Sequence, residues 1–197
     1  MKILNLYAGI GGNRKLWGNA HQVTAVEYDP EIAAIYREFN PDDTVIVGDA
    51  HKYLIEHLND FNFIWASPPC PTHSRLRTSH LNKGGAVYPD MTLYQEIIVL
   101  QHFFRGRAFV VENVVPYYRP LITPSFELDR HYFWSNRYLM NGYPHTPGDI
   151  TLASPEALAK DYGFDIAVIR RHKVDARKVL RNCVKPELGK YILENML

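Results

Sequence analysis

Short apolar runs alternate with longer stretches of mixed polarity through the first half of the chain. The apolar runs have the length of buried strands, and the stretches between them have the spacing of amphipathic helices. The predicted strands cover residues 2–7, 22–27, 43–47, 61–66 and 107–112, and the predicted helices cover 13–18, 30–39, 50–58 and 91–104. This alternation predicts an α/β fold in which a mostly parallel, Rossmann-like sheet carries helices on both faces.

The pattern changes after residue 112. Prolines and aromatic residues are frequent between residues 114 and 156, so this part is expected to consist of loops with short strands, such as one at 131–135. Regular structure returns at 176–197, where a basic segment leads into a final helix.

The composition limits the class of protein and its cellular environment, but it does not indicate a function. The 197 residues are enough for one domain with a core, and the 46% hydrophobic and 22% charged fractions are ordinary for a soluble globular protein. Two cysteines do not make a disulfide framework, so a reducing, cytoplasmic setting is expected. The first apolar run is too short for a signal peptide or a membrane span. The net charge of +1 neither demands nor excludes a nucleic-acid partner.

A glycine-rich turn, Tyr7-Ala8-Gly9-Ile10-Gly11-Gly12, follows the first predicted strand. Such a turn lets a nucleotide-like ligand approach the backbone, although tight packing alone also selects glycine. Carboxylates follow the next two strands: Glu27 is placed to bind ribose hydroxyls, and Asp49 to accept a hydrogen bond from an adenine amino group or to cap a helix. Together these strand ends predict an adenosine-containing cofactor.

Two further strand ends carry candidate reactive groups. Cys70 follows the fourth strand directly after two prolines, and Glu112 ends the fifth. The carboxyl ends of parallel strands face the crevice in which α/β enzymes bind substrates, so both groups are expected there. A buried cap or ion-pair partner is the alternative for Glu112. Cys183 is interpreted as structural.

Four segments, in a fixed order along the chain, resemble the cytosine carbon-5 DNA methyltransferase family. They are Gly9-Ile10-Gly11-Gly12, Pro69-Cys70, Glu112-Asn113-Val114 and Arg181-Asn182-Cys183-Val184-Lys185-Pro186. The resemblance covers nearly the whole chain, and the ordered set is much more specific than any one member. It implies the S-adenosylmethionine-dependent methyltransferase fold, S-adenosylmethionine as cofactor, DNA as partner, and methylation of a cytosine flipped out of the helix.

The resemblance also implies a role for each matching residue, and no metal. The implied catalytic residues are Cys70 as nucleophile, Glu112 as the acid that engages the cytosine, and Arg130 as the remaining arginine of the motif that supports the flipped base. The implied cofactor-binding residues are Tyr7, Ala8, Gly9, Gly11, Gly12, Glu27, Tyr28, Asp49, Pro69, Asn182 and Val184. The expected DNA-binding residues are Ser74, Arg75, Arg77, Asn113, Arg170, Arg171 and Lys173.

The chain departs from the family pattern at three places and carries two basic segments. Pro71 stands where the family has glutamine, the arginine motif is eroded before Arg130, and Arg181 stands where glycine is usual. Residues 71–89, which include Arg75, Arg77 and Lys83 but no acidic residue, are predicted to form a lid that closes on DNA. Residues 170–185 are rich in lysine and arginine, which suits phosphate contacts or a merely solvated face.

The expected organisation is a catalytic domain at 1–138, a short DNA-contact region at 139–179, and a C-terminal motif and helix at 180–197 that return to the catalytic domain.

Because the middle region is short, we expect low or short sequence specificity, or a partner protein that supplies recognition. Such an enzyme would suit a bacteriophage that masks its DNA from restriction. The alternatives are a transfer-RNA cytosine-5 methyltransferase and an inactive nucleic-acid-binding relative. A nicotinamide-dependent oxidoreductase would not explain Cys70 or the Glu112-Asn113 pair.

Overall fold

The computed structural model describes residues 1–78, 85–139, 142–143 and 153–196. Its strands are β1 (Lys2–Leu6), β2 (Gln22–Glu27), β3 (Thr44–Val47), β4 (Phe63–Ala66), β5 (Ala108–Val114), β6 (Phe126–Leu128) and β7 (His131–Ser135). Its α-helices are α1 (Pro30–Phe39), α2 (Ala50–His57), α3 (Thr92–Phe103), α4 (Pro155–Asp161), α5 (Ile166–Arg170), α6 (Ala176–Arg181) and α7 (Pro186–Met196). Short 3-10 turns follow α2 at Leu58–Asp60 and precede α3 at Arg75–Arg77.

The strands form one sheet in the order β3-β2-β1-β4-β5-β7-β6. Strands β1 to β5 are parallel to one another, and β7 runs antiparallel to both β5 and β6, between which it lies. Helices cover both faces: Leu54 of α2 and Ile97 of α3 pack on one, and Leu188 of α7 packs on the other. The predicted α/β fold with a mostly parallel sheet is therefore confirmed. Within the described part of the chain, no helix is long and apolar enough to cross a bilayer.

The helix predicted at residues 13–18 is wrong, because turns occupy this segment. Asn13 and Asn5 exchange two amide hydrogen bonds of 2.8 and 3.3 Å, and Arg14 donates two of 2.9 Å to Asp43. Gly189 of α7 lies directly on the Asn13 backbone, where an added Cβ would come within 2.3 Å of the Asn13 carbonyl oxygen. These contacts with distant parts of the chain hold the segment in a conformation that local polarity does not predict.

Three short helices, α4 to α6, pack on α1 and form a small cluster above the carboxyl end of β1. Its core includes Ile10, Ile35, Leu158, Ile169 and Leu180. The residue before each of the three helices caps it, because its side chain accepts a backbone N–H bond from the first turn. The capping residues are Ser154 for α4, Asp165 for α5 and Asp175 for α6. The cluster positions α6 beside the edge of the sheet at which the parallel strands end.

Candidate active site

A cleft of about 1110 Å³ opens at the carboxyl ends of the parallel strands and extends to β7 and α6. It brings together residues that the sequence separates by more than a hundred positions. The predicted site residues that line it are Tyr7, Ala8, Gly9, Gly12, Glu27, Tyr28, Asp49, Pro69, Cys70, Ser74, Arg77, Glu112, Asn113, Arg130, Asn182 and Val184. Gly11, Arg75, Arg170, Arg171 and Lys173 are not among the lining residues.

At one end of the cleft, the loop after β1 is tied to the end of β2. Gly9 has a positive φ of 56°, and its N–H donates to Glu27 Oε2 at 2.9 Å. The other carboxylate oxygen of Glu27 accepts from the Asp29 N–H at 3.0 Å. Apart from the two neighbours of Gly9 in the chain, no heavy atom of the described residues lies within 4 Å of the position of a Cβ on Gly9, so a ligand can approach the backbone there. With the exposed Tyr28 ring beside it, this end fits the adenosine portion of S-adenosylmethionine.

The other two glycines of the turn serve close packing. A Cβ on Gly11 would lie 2.9 Å from both the Tyr36 ring and the Asn40 amide, so α1 covers this residue and keeps it out of the cleft. A Cβ on Gly12 would lie 2.6 Å from the Cys183 Cβ and from the Val184 carbonyl oxygen. The packing interpretation therefore applies to Gly11 and Gly12, and Gly9 has the open approach expected of a cofactor turn.

A cluster around the buried Glu96, which sequence reasoning missed, lies at this end of the cleft. Tyr7, another residue with positive φ, donates its hydroxyl hydrogen bond to Glu96 Oε1, and His51 Nδ1 lies 3.1 Å from the same oxygen. Burial raises the pKa of Glu96, and burial together with the Glu96 carboxylate raises the pKa of Tyr7. The sequence signal for this cluster was Glu96 itself, which lies between Leu93 and Leu100 on the buried side of α3. An acidic residue is rarely buried on an apolar face without a partner, so a partner for Glu96 could have been expected.

Asp49 acts as the helix cap that the sequence offered as one interpretation, and the adenine contact stays a prediction. Its carboxylate caps α2 by accepting the Lys52 N–H at 2.8 Å, and it also lines the cleft. A carboxylate with one oxygen engaged in a cap keeps its remaining lone pairs for an amino group.

At the other end of the cleft, Cys70, Glu112 and Arg130 meet. Burial raises the pKa of the Cys70 thiol and the Glu112 carboxylate adds to this, whereas the guanidinium groups of Arg130 and Arg181 oppose it. Burial also raises the pKa of Glu112 to about 7, against the opposing effects of Ser67 and Arg130. A carboxyl group with this pKa holds a proton over much of the neutral range, as a general acid requires.

His131 lies next to this carboxyl group, with Nε2 3.5 Å from Glu112 Oε1. Burial, with a contribution from Arg130, lowers the pKa of His131 well below its usual value. The imidazole is therefore neutral and does not hold Glu112 in its ionised form.

Contacts between distant segments set the positions of the reactive groups. Arg130 donates to the carbonyl oxygens of Arg181 and Cys183, at 3.0 and 3.2 Å. The buried Asn113 donates to the Pro68 carbonyl oxygen at 2.9 Å and accepts the Val114 N–H at 3.0 Å. Asn113 thus holds the loop that precedes Cys70, and the DNA contact expected of it stays a prediction.

The beginning of the predicted lid is an ordered turn beside Cys70. Ser74 caps the 3-10 turn by accepting the Leu76 N–H at 3.3 Å, and it forms an isolated bridge with Pro116. Arg75 donates to the Pro116 carbonyl oxygen at 3.2 Å, which accounts for its position outside the cleft lining. Arg77 lines the cleft, whereas Lys83 lies outside the described residues.

The basic segment after residue 169 divides into two parts. Arg170 pairs with Glu156, and Arg171 pairs with Glu38 of α1, so neither faces the cleft. The Lys173 N–H donates to Glu31 at 3.2 Å. These three expected DNA-binding residues therefore lie outside the cleft, where carboxylates of α1 and α4 contact this segment. The later cations of the same segment, Arg177, Lys178 and Arg181, line the cleft instead.

Residues 1–117 match the family model described as C-5 cytosine-specific DNA methylase. No curated protein sequence matches the chain significantly.

Three solved structures illustrate the structural likeness. A mutant of Spodoptera frugiperda DNMT2 is 22% identical over 57% of this chain and 35% of that chain, with a TM-score of 0.42. An RNA methyltransferase from Salinibacter ruber, in complex with S-adenosyl-L-homocysteine, is 14% identical over 75% of this chain and 84% of that chain, with a TM-score of 0.41. TrmN from Thermus thermophilus is 14% identical over 57% of this chain and 33% of that chain, with a TM-score of 0.38. This chain thus spans about a third of the Spodoptera protein.

Proposed function

The chain belongs to the C-5 cytosine-specific DNA methylase family, and from that membership we propose that it methylates carbon 5 of cytosine in DNA. S-adenosylmethionine is the cofactor of this family, as the sequence predicts. The observation that carries the proposal is one cleft with Gly9 and Glu27 at one end and Cys70, Glu112 and Arg130 at the other. A cofactor bound at the first end brings an electrophilic methyl group toward the second.

The chemistry needs a nucleophile because carbon 5 of cytosine does not attack a methyl donor by itself. The Cys70 thiolate forms a bond to carbon 6, and ring nitrogen 3 takes the proton of the Glu112 carboxyl group. The resulting enamine would attack an electrophilic methyl group through carbon 5; S-adenosylmethionine, held at the Gly9 and Glu27 end of the cleft, would supply this methyl group and depart as the neutral thioether. Loss of the carbon-5 proton to a water molecule then expels the Cys70 thiolate, and ring nitrogen 3 returns its proton to Glu112, which restores both the ring and the acid.

The protonation states in the cleft support this sequence of steps. Glu112, with a pKa of about 7, keeps a proton to donate. The raised pKa of Cys70 means that its proton must be lost before or during attack, and Arg130 favours the thiolate that results. Cys70 must therefore lose its proton to act as the nucleophile, whereas Glu112 must keep its proton to act as the acid.

The proposed substrate is duplex DNA from which the cytosine is flipped, at a cost of a few kcal/mol. Arg77 and the turn at Arg75–Arg77 lie at the mouth of the cleft, where backbone contacts would accompany base entry. Helices α4 and α5 and the first turn of α6 lie within residues 153–179 and pack with α1 in one hydrophobic cluster. This packing leaves little of 153–179 for reading bases, which supports short sequence specificity or a separate recognition partner. An intracellular location follows from a DNA substrate.

The test is methyl transfer from labelled S-adenosylmethionine to unmodified duplex DNA and, in parallel, to transfer RNA. Wild type is compared with Cys70→Ala, and modified positions are mapped by sequencing. Carbon-5-methylated cytosine in DNA with wild type and none with Cys70→Ala supports the proposal. Methylation of transfer RNA alone, or cofactor binding without transfer to either substrate, rejects the DNA assignment.

A further inference from the structure

Three cations on α6 form a surface that the proposed chemistry does not use. We call Arg177, Lys178 and Arg181 the α6 basic face. We infer that this face binds the phosphates that flank the target cytosine. The inference rests on the proposed function, since it takes the flipped nucleotide as the molecule that enters the cleft.

The geometry of α6 directs these side chains into the cleft. Asp175 begins the helix by accepting the Lys178 N–H at 3.0 Å, and Arg177 and Arg181 are one helical turn apart. Val179 and Leu180 of the same helix are buried in the cluster formed with α4 and α5, and Val179 also reaches the wall of the cleft. Arg177, Lys178 and Arg181 line the same cleft as Cys70.

Arg181 is the member of this face closest to the chemistry. Its carbonyl oxygen holds Arg130, and its side chain lines the cleft. The Nε atom of Arg181 is buried and has no hydrogen-bond partner within the described residues. Its guanidinium also opposes the burial-driven rise in the pKa of Cys70, which places it within electrostatic reach of the nucleophile.

The arrangement of opposite charges in the cleft favours a phosphate on this side. Glu27 and Asp49 lie at the cofactor end, and Asp175 is engaged as the cap of α6. Glu112 is the lining carboxyl group beside Cys70, and its raised pKa lowers its negative charge at neutral pH. A flipped nucleotide carries its own phosphates toward the cleft, and arginine pairs bind phosphate through charge-assisted hydrogen bonds.

The contrast within the basic segment supplies a matched control. Arg170 and Arg171 belong to the same segment but form ion pairs with Glu156 and Glu38 outside the cleft. Arg170→Gln/Arg171→Gln therefore removes the same charge as Arg177→Gln/Arg181→Gln without touching the cleft.

The experiment measures binding of a fluorescent duplex that contains one cytosine, by anisotropy, between about 50 and 200 mM salt. For Arg177→Gln/Arg181→Gln we expect at least about tenfold weaker binding at the low-salt end and a salt slope smaller by about 2, since each lost phosphate contact removes about 0.9. S-adenosylmethionine binding, measured by calorimetry, stays unchanged. Arg181→Lys, which keeps the charge, retains the salt slope of wild type. The control pair retains both the affinity and the slope.

Three results would overturn the inference. An equal loss in the control pair would show a non-specific effect of net charge, and lost cofactor affinity would place the α6 basic face at the cofactor instead. An unchanged slope in a variant that keeps the wild-type melting temperature would exclude phosphate contacts. If wild type methylates DNA while the slope is unchanged, only this inference fails. If wild type neither binds nor methylates DNA, the proposed function fails with it.

Discussion

The carboxylates at the two ends of the cleft have opposite surroundings. Glu27 and Asp49 are at least partly exposed, and each accepts backbone N–H bonds that fix its orientation. Glu112 is buried beside a neutral His131, and its pKa is raised to about 7. The first environment suits a fixed hydrogen-bond acceptor for a ligand, and the second suits a group that must keep and then give up a proton.

The largest expected effect comes from removing the proton donor. Glu112→Gln keeps the size of the side chain but has no proton to give, so we expect kcat for methyl transfer to fall by about 10²- to 10⁴-fold. Binding of S-adenosylmethionine, measured by calorimetry, should change little. Comparable losses in kcat and in cofactor affinity would show that the two ends of the cleft do not have separate roles.

The pH dependence of kcat/KM gives a second test of Glu112 as the proton donor. In wild type, kcat/KM should rise with pH as Cys70 ionises and then level off above about 7, because Glu112 loses its proton as the thiolate forms. In Glu112→Gln, kcat/KM should continue to rise through this range. A plateau at the same pH in both proteins would assign it to another group.

The buried carboxyl group should also make stability depend on pH. Its pKa is raised from 4.5 to about 7 in the folded protein, so the folded state binds the proton more tightly than the unfolded state. The stability of wild type therefore falls as pH rises from about 4.5 to about 7, by an amount on the order of 3 kcal/mol. Glu112→Gln should lack this decrease in urea titrations at pH 5 and pH 8. Parallel curves for the two proteins would contradict the raised pKa.

At the cofactor end we expect a smaller effect, which concerns the affinity for the cofactor and not the chemical step. Glu27→Gln should weaken S-adenosylmethionine binding by about 10- to 100-fold, since it removes a charged acceptor, while saturating cofactor restores most of kcat. Glu38→Gln, with the same charge change outside the cleft, serves as control. A loss of kcat that saturating cofactor does not restore would assign Glu27 to the chemical step.

The smallest expected effect concerns the cluster around Glu96 at the cofactor end. Tyr7→Phe removes the hydroxyl that donates to Glu96 and leaves His51 as the remaining partner of that oxygen. We expect a loss of about 1 to 3 kcal/mol in the free energy of unfolding, because a buried carboxyl group loses a hydrogen bond. Thermal denaturation with and without cofactor measures it. An unchanged melting temperature would show that the hydrogen bond contributes nothing net.

Much of the parallel sheet could be predicted, because its five strands are apolar runs separated by polar or helical stretches. The antiparallel β6 was not predicted, since Phe126–Leu128 is short and follows several prolines. The site was predicted best at strand ends, where sequence position alone places Glu27, Cys70 and Glu112 at one edge. It was predicted worst in the basic segment, where charge alone did not separate Arg170 from Arg177.

The amino-acid sequence by itself determined the fold class, the family, and the order of the reactive groups along the chain, because periodicity and strand-end chemistry are local properties. The tertiary structure decided which of these groups act together. Residues 13–18 form a packed turn, Asn113 donates a hydrogen bond to the Pro68 carbonyl oxygen, and Arg181 lines the same cleft as Cys70. These outcomes depend on contacts between distant residues, whose free energies exceed the local preferences that a sequence pattern reports.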